Sequence, residues 1–371
     1  MIMYRKLHYK YATISAQPFE KMLSQLLAEL NCTYTPMRMV FFTTISSNSQ
    51  YVEYLTLIQR MINDKFGTQA PVISLVAQDT LAHVGLAVEI HEMEILASES
   101  LLYKKWNNTS YITLHDDSCK RLFLGGIISK DLNQSIAAQS EEVFDTIEAI
   151  MEIESMPIYS IVRQWNYIEK ITEYNQERQN YQAFNDVRSL FYDQTEWKNG
   201  FPAATGIGMD WGGVMIDLNA TLAYNADTNI TPIDNPLQVA AHAYSQVQLL
   251  GKVDERLSHK TTPKFERAKQ VIQCGSGVLY VSGTAAIRGE LSLQGVGIEE
   301  QTRITIENIN VLTGKHPLEI IRVYLKNTEE LEAAETVISQ LYPGVSAIYL
   351  QADVCREELL IEIEGVSIIT H

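Results

Sequence analysis

The chain has 371 residues, of which 46% are hydrophobic and 20% are charged. These proportions are typical of a globular protein of two or three domains. The formal net charge of −16 argues against nucleic acid or an acidic membrane as the partner, because phosphate binding needs clustered Lys and Arg. No apolar run approaches the roughly 18 residues of a membrane span, and the N-terminus has no apolar core of the signal-peptide type. We therefore expect a cytoplasmic protein that binds neither nucleic acid nor membrane.

Cysteine and histidine follow no pattern that is typical of a metal or redox site. The cysteines are far apart and form no CxxC pair, so the sequence predicts neither a zinc site nor a disulfide framework. The eight histidines include no HExxH and no other obvious ligand spacing. We expect no metal and no organic cofactor.

The first part of the chain alternates between helical and strand patterns. The segment PFEKMLSQLLAEL is a candidate helix, RMVFF from Arg38 is a β-rich run, and QYVEYLTLIQRMINDKFG is helical. Two further strands follow, APVISLVAQD and LAVEIHEMEI. In the last strand Glu89 lies on one face and apolar side chains lie on the other, because strand side chains alternate with period two.

The middle and the end of the chain repeat this order of elements. In the middle, LFLGGIIS, a helix, RQWNY from Arg163, a second helix, FPAATGIGMD and VMIDLNATL follow one another. At the end, VLYVSGTAAIRG, a helix, RVYLK from Arg322, a second helix, VSAIYLQADV and ELLIEIEG do the same. The last strand again carries an acid on one face, Asp217 in the middle copy and Glu362 in the final copy.

We therefore predict three copies of one strand–helix–strand–helix–strand–strand unit. The predicted division is a degenerate first unit at residues 1–115, a second unit at 116–225, a connecting segment at 226–264 and a third unit at 265–371.

Six segments in order carry a family resemblance: IVRQWNYIEKI, NYQAFNDVR, FPAATGIG, TPKFERA, VSGTAAIRGE and DVCREELLIEIEG. Over most of residues 36–371 they resemble the chorismatases, enzymes of the wider Rid (YjgF-like) fold that release pyruvate from chorismate. The resemblance implies an α/β (α+β) fold of the chorismate mutase-like type, with three Rid-like units forming a pseudo-trimer within one chain. It further implies a monomer with one active cleft between the second and third units.

The resemblance also implies that Glu362 is the catalytic residue. Hydrolysis of an enol ether needs a proton on the terminal methylene carbon, and a carboxylic acid in a partly apolar pocket can supply it. From the residues alone, an acid on one face of a strand is usually solvated. Glu364, on the same face, is expected to be structural.

Chorismate is a dianion, and Arg side chains suit carboxylates because they pair with them bidentately. An Arg in an acidic protein is more commonly part of a surface ion pair. Glycines at strand ends let backbone N–H groups approach an anion, although close packing at a sheet edge explains them equally well. The substrate-binding residues that the resemblance implies are Arg163, Tyr181, Arg188, Thr205, Gly206, Arg267, Gly283, Thr284 and Gln351.

Three positions depart from the family pattern. Asn180 replaces an expected Arg, Glu290 replaces an expected His, and Gln351 replaces a small residue or Cys. They leave two alternatives open: a Rid-type enamine or imine deaminase, and a non-catalytic protein of a secondary-metabolite pathway that binds a small acid. The deaminase would need an Arg where this chain has Tyr349. Arg163 and Arg188 facing Glu362 across one cleft would favour an enzyme that processes an anion. A cleft lined by Glu290 and by no Arg would favour another role.

Overall fold

The computed structural model describes residues 7–175, 178–245, 249, 257–314 and 316–370. Within these ranges, no helix is both long enough and apolar enough to cross a membrane. The α-helices of the described residues are α1 (Phe19–Glu29), α2 (Asn48–Phe66), α3 (Ile136–Ile153), α4 (Asn180–Tyr192), α5 (Ile298–Thr313) and α6 (Leu331–Leu341).

The strands connect these helices into a mixed α/β fold. In chain order they are β1 (Leu7–Ser15), β2 (Thr35–Thr43), β3 (Val72–Ala77), β4 (Asp79–Thr80), β5 (Val84–Met93), β6 (Ser100–Trp106), β7 (Thr109–His115), β8 (Cys119–Ile128), β9 (Ile161–Glu169), β10 (Tyr174–Asn175), β11 (Arg178–Gln179), β12 (Ala203–Met209), β13 (Val214–Ala223), β14 (Thr228–Ile233), β15 (Ala268–Gln273), β16 (Ser276–Ala285), β17 (Ile287–Arg288), β18 (Leu291–Ser292), β19 (Ile320–Leu325), β20 (Ser346–Gln351) and β21 (Ile361–Thr370).

Local sequence signals set the ends of several helices. Before α2, the hydroxyl of Ser47 accepts a hydrogen bond from the Gln50 N–H, and Ser135 caps α3 in the same way. After α5 the chain turns at Gly314, where φ is 58°. A side chain is strained in this left-handed region and glycine is not. These signals explain why the helices end close to the predicted positions.

The predicted order of elements is present in the second and third units, and the first unit has it too, with an opening strand, β1, that was not predicted. The first unit contains β1, α1, β2, α2, β3 and β5; the second contains β8, α3, β9, α4, β12 and β13; the third contains β16, α5, β19, α6, β20 and β21. The strand order within each unit is first–fourth–second–third. In every unit the fourth strand is antiparallel to both neighbours, and the second and third strands are parallel.

Each unit buries its helices against the outer face of its own sheet, and the inner faces of the sheets meet in a shared core. The shared core takes side chains from all three units, for example Val40, Trp165 and Tyr324. Burial of this apolar surface holds the units together as a single body. The clefts between units therefore open from a common centre.

Two strand pairings bear on the predicted division of the chain. The hairpin β6–β7 lies within residues 1–115 but pairs with β8 in the second sheet. Strand β14 lies in the predicted connecting segment but pairs with β15 in the third sheet. We therefore propose that the second unit begins near residue 100. Residues 246–248 and 250–256 of the connecting segment lie outside the described residues.

Candidate active site

A cavity of about 860 Å³, including its open mouth, lies between the second and third units. This volume suits a small metabolite. The second unit contributes α4 and the strand β12, and the third contributes β16 and β21. The lining residues of both units, the loops included, are Gln179, Tyr181, Gln182, Asn185, Arg188, Ala204, Gly206, Tyr244, Leu249, Pro263, Phe265, Arg267, Gly283, Ala285, Ile287, Cys355, Arg356, Leu359 and Glu362.

Glu362 lies near the start of β21 and is only 5% exposed. Burial raises the pKa of its carboxyl to about 8, and the charge of Glu364 acts in the same direction. Arg163 and Arg267 lower this pKa but do not offset the burial. Within the described part of the chain, Glu362 takes part in no ion pair with Lys or Arg. At neutral pH this side chain is therefore a buried carboxylic acid that can donate a proton.

Two glycines make room for the polar side chains of the cavity. A Cβ at Gly283 would collide with Oε1 of Glu362 and lie 3.0 Å from the Thr205 side chain. A Cβ at Gly206 would lie 3.1 Å from the ring of Tyr181. The glycine positions predicted in the sequence therefore border the cavity because acid and ring need the space that a side chain would fill.

Two predicted arginines line the cavity and are buried. Arg188, on α4, is 2% exposed and donates from Nη2 to Asn185 Oδ1 at 2.6 Å. Arg267 donates from Nη2 to the Val239 carbonyl and to the Tyr244 hydroxyl, both at 2.7 Å. The Nε of each has no hydrogen-bond partner among the described residues. Buried donors without partners are uncommon, and these two can be satisfied by an anion.

A third cation, Arg356, lines the cavity but was not singled out from the sequence. Its Nη1 donates to the Glu290 carbonyl and to Ser292 Oγ, each at 3.0 Å. Its guanidinium lies 5.2 Å from the centre of the Tyr244 ring, and that of Arg267 lies 5.7 Å from the same ring. The available signal was its place in the DVCREELL motif, three residues before Leu359.

Cys355 also lines the cavity. Burial raises the pKa of its thiol to about 12. The thiol is therefore neutral at physiological pH and is not poised as a thiolate nucleophile.

Arg163 and Thr205, predicted to contact substrate, lie behind the cavity wall. Both donate hydrogen bonds to Oε2 of Glu364, and Arg163 also donates to Thr205 Oγ1 at 2.7 Å. Glu364 further accepts from Arg322 at 3.0 Å and from the Tyr324 hydroxyl at 2.9 Å. Both side chains thus contact Glu364, and Arg163 Nη1 has no hydrogen-bond partner among the described residues. The substrate contact of Arg163 and Thr205 stays a prediction.

Thr284 and Gln351 do not line the cavity either. The Thr284 hydroxyl donates to the Ser282 carbonyl at 2.8 Å. Gln351 pairs with Asp79 at the edge where β20 meets β4. The substrate contact of both residues stays a prediction, which their absence from the cavity lining does not support.

The other departures from the family pattern also lie off the cavity wall. Asn180 donates to the carbonyls of Glu169 and Lys170. The Glu290 carboxylate accepts from the N–H and the hydroxyl of Ser245, at 2.7 and 2.9 Å. The added negative charge therefore ties down a neighbouring loop and does not line the cavity.

Fold and site together define a class: mixed α/β proteins built from three like units, with a cationic cavity around a protonated carboxyl at a unit boundary. Residues 100–220 match the family model described as "Chorismatase FkbO/Hyg5-like, N-terminal". The chain is 30% identical over 235 residues to a 3-hydroxybenzoate synthase of Streptomyces hygroscopicus, covering 58% of this chain and 65% of that protein. It is 27% identical over 222 residues to a chorismatase of the same organism, covering 55% and 60%.

A crystal structure of a chorismatase superposes on 99% of this chain and 100% of its own, with a TM-score of 0.71 at 17% identity. The fold predicted from the sequence is thus confirmed. The family model and the two curated relatives support the resemblance to the chorismatases. The sequence alignments span less than two thirds of the length of these curated relatives.

Proposed function

We propose that the protein removes pyruvate from chorismate, or from a closely related enolpyruvyl acid, by general-acid hydrolysis. The observation that carries this proposal is the buried, protonated Glu362 in a cavity that also presents three arginines. The relatives named chorismatase and 3-hydroxybenzoate synthase support the same substrate class.

The reaction needs one proton and one water. The Glu362 carboxyl donates its proton to the terminal methylene carbon of the enolpyruvyl group, which leaves an oxocarbenium ion at the adjacent carbon. The ionised carboxylate then stabilises this cation electrostatically. Water adds to the cation, and the resulting hemiketal collapses to pyruvate and the ring alcohol. A proton released during water addition restores the Glu362 acid.

Substrate binding relies on local positive charge in a protein that is acidic overall. Arg188, Arg267 and Arg356 line the cavity, and Glu362 is neutral when substrate arrives. The Nε donors of Arg188 and Arg267 are free to bond carboxylates of a dianion. The negative charge of the bound substrate raises the pKa of Glu362 further, so the carboxyl keeps its proton until it transfers the proton to the methylene carbon.

The deaminase alternative receives no support from the geometry. Tyr349, where that activity would need an Arg, lies on β20, and its side chain packs against the core of the third unit. It does not line the cavity. Of the two arginines in the sequence criterion, Arg188 lines the cavity and Arg163 pairs with Glu364 behind its wall. Glu290 does not line the cavity, so the arrangement still supports an enzyme that processes an anion.

The test is to incubate purified protein with chorismate and assay pyruvate, which reports the reaction whichever ring product remains. Wild type should release pyruvate, and Glu362→Gln should reduce the rate about 10²–10⁴-fold, the usual contribution of a general acid. Glu357→Gln, an exposed position on the neighbouring loop, is the matched control and should keep wild-type rates. A folded wild type that releases no pyruvate would contradict the proposal.

A further inference from the structure

Three arginines meet where the inner faces of the sheets come together. Arg38, Arg163 and Arg322 occupy matching positions on the second strands β2, β9 and β19. Each guanidinium lies over the ring of Trp165, with distances from Cζ to the ring centre of 5.2, 4.5 and 5.6 Å. All three are 3% exposed or less. Charges buried this deeply require partners.

Each guanidinium pairs with a carboxylate of the following unit, so the pairs close a ring. Arg38 of the first unit lies 3.3 Å from Asp217 of the second. Arg163 of the second pairs with Glu364 of the third. Arg322 of the third pairs bidentately with Glu89 of the first, at 2.6 and 2.7 Å.

Strand register shows that the third unit uses a different acid from the other two. Glu89 and Asp217 lie opposite Val40 and Trp165, two residues after the Arg of their own unit. The matching residue of the third unit is Glu362, opposite Tyr324. In the third unit the ion pair with the guanidinium of the preceding unit is made instead by Glu364, two residues further along β21. These positions thus hold three guanidiniums and four carboxyls, and Glu362 is the carboxyl that is not paired with any of the three guanidiniums.

We propose that Glu364 and Glu89 are positioning residues: together with Asp217 they supply three carboxylates for the three core guanidiniums, and so leave Glu362 as the carboxyl that keeps its proton. The inference deepens the proposed function and rests on it for its catalytic meaning. Arg322 is the shared member, because it bonds Glu89 through Nε and Nη2 and Glu364 through Nη1.

The groups that face the two acids from every side are consistent with this assignment. Glu364 is faced by Arg163, Arg322, Tyr324, Tyr167 and Glu362, which come from β9, β19 and β21. Glu89 is faced by Arg322 of β19, by His91 of its own strand, by Tyr9 and Tyr11 of β1 and by Tyr167 of β9. Glu362 is faced by Glu364, Arg163 and Arg267, and by Tyr181 and Cys355 in the cavity.

The first test is Glu89→Gln, which leaves Arg322 with Glu364 as its sole carboxylate. The guanidinium charge then weakens the negative field of Glu364 at Glu362. The alkaline limb of the pH profile of kcat/KM for pyruvate release should move to lower pH by about one unit. Asp217→Asn is the matched control, because it also leaves a buried guanidinium unpaired, that of Arg38, which does not contact Glu364. Its limb should move by less than half as much. Equal shifts, or no shift in Glu89→Gln, would overturn the proposal.

A second variant decides the matter if Glu89→Gln does not fold. Glu89→Gln combined with Arg322→Met removes both charges, and neutral replacement of a whole buried pair is often tolerated. Glu364 then loses a cation, so the limb should move to higher pH, opposite to the single variant. An unmoved limb, or one at lower pH, would count against the charge ring.

A spectroscopic titration separates this proposal from the proposed function. The infrared carboxylic-acid band that is present in wild type and absent in Glu362→Gln measures the protonation of Glu362 without any turnover. It should titrate about one unit lower in Glu89→Gln than in wild type. If wild type releases no pyruvate but the band shifts as expected, the proposed substrate fails and the charge ring stands. If pyruvate is released and the band does not shift, the charge ring fails alone.

Discussion

Asp217 in the second unit and Glu362 in the third occupy the same strand position and have opposite fates. Asp217 accepts hydrogen bonds from Ser74 Oγ at 2.6 Å and from the Gly126 N–H at 2.7 Å, and it lies beside Arg38. Glu362 lines an open cavity and keeps its proton. Two features account for the difference: the neighbour two residues along the strand, and the place of a β-bulge.

The neighbour decides which side chain neutralises the guanidinium. In the second unit it is Asn219, which accepts from Arg38 at 2.7 Å but carries no charge. In the third unit it is Glu364, which pairs with Arg163, so Glu362 is not needed to neutralise that guanidinium.

The bulge decides where a backbone donor points. In β8 the bulge lies opposite Asp217, and in β16 it lies opposite Glu364. The extra residue of a bulge redirects the local N–H groups. In the third unit both the bulge and the ion pair involve Glu364. Glu362 therefore receives neither a backbone donor from the bulge nor a guanidinium partner.

The largest expected effect is a loss of stability when Asp217, the neutralised acid of this comparison, is replaced. Asp217→Asn leaves Arg38 fully buried without a carboxylate. Loss of one partner of a buried ion pair typically costs about 3–5 kcal/mol of unfolding free energy. Chemical denaturation at pH 7 measures it. Glu20→Gln, which affects an exposed pair with Arg60, is the control and should change stability by less than about 1 kcal/mol. A cost as small as the control's would show that Arg38 does not need the acid.

Replacement of Glu362 should change the free energy of unfolding in the opposite direction. The pKa of Glu362 is about 8 in the folded protein, above its ordinary value of 4.5. Wild type must therefore take up a proton on folding at neutral pH, and it loses stability as pH rises from 4.5 to 8. Glu362→Gln removes this cost and should raise the free energy of unfolding by roughly 3 kcal/mol at pH 7. The gain should disappear near pH 4; a gain that is equal at both pH values would contradict the raised pKa.

Glu364→Asn sharpens the comparison by giving the third unit the neighbour that the second unit has. Arg163 would then have Glu362 as its nearest acid, and the lost charge of Glu364 would no longer oppose ionisation. We expect kcat/KM for pyruvate release at pH 7.5 to fall about 10–100-fold, because the protonated fraction of Glu362 falls. The activity should recover partly at lower pH. Loss that is independent of pH would indicate a purely structural role for Glu364.

The smallest effect concerns substrate binding in the cavity. Arg267→Met removes a buried donor whose Nε is unpaired among the described residues. A hydrogen bond to a charged group is worth roughly 1.5–3 kcal/mol, so KM for chorismate should rise at least about tenfold with a smaller change in kcat. Arg60→Met, with its side chain 63% exposed, is the control. An unchanged KM would place the substrate elsewhere.

The sequence pattern predicted the repeat of elements and the matching acids on the fourth strands, and the family resemblance implied a cleft between the second and third units. The alternation of residues alone could not separate Glu362 from Glu364, because both share a face; the family resemblance singled out Glu362, and the contacts between units show that Glu364 pairs with Arg163. Contacts between units also place Arg163 and Thr205 against Glu364. Arg356 and Tyr244 were missed because their approach to the cavity depends on how two loops pack. Pairing between distant strands likewise determines the sheet that β6 and β7 join.

The position of Trp165 gives this protein an internal optical reporter. Its indole ring is contacted by all three core guanidiniums, and it packs edge-on against Tyr280, with ring centres 6.4 Å apart. Indole emission responds to nearby charge, so a change in any of the three arginine–carboxylate pairs alters the electric field across this one indole. Fluorescence of Trp165, isolated by replacing the other three tryptophans, Trp106, Trp197 and Trp211, with Phe, would follow changes in these ion pairs at the centre of the molecule in real time.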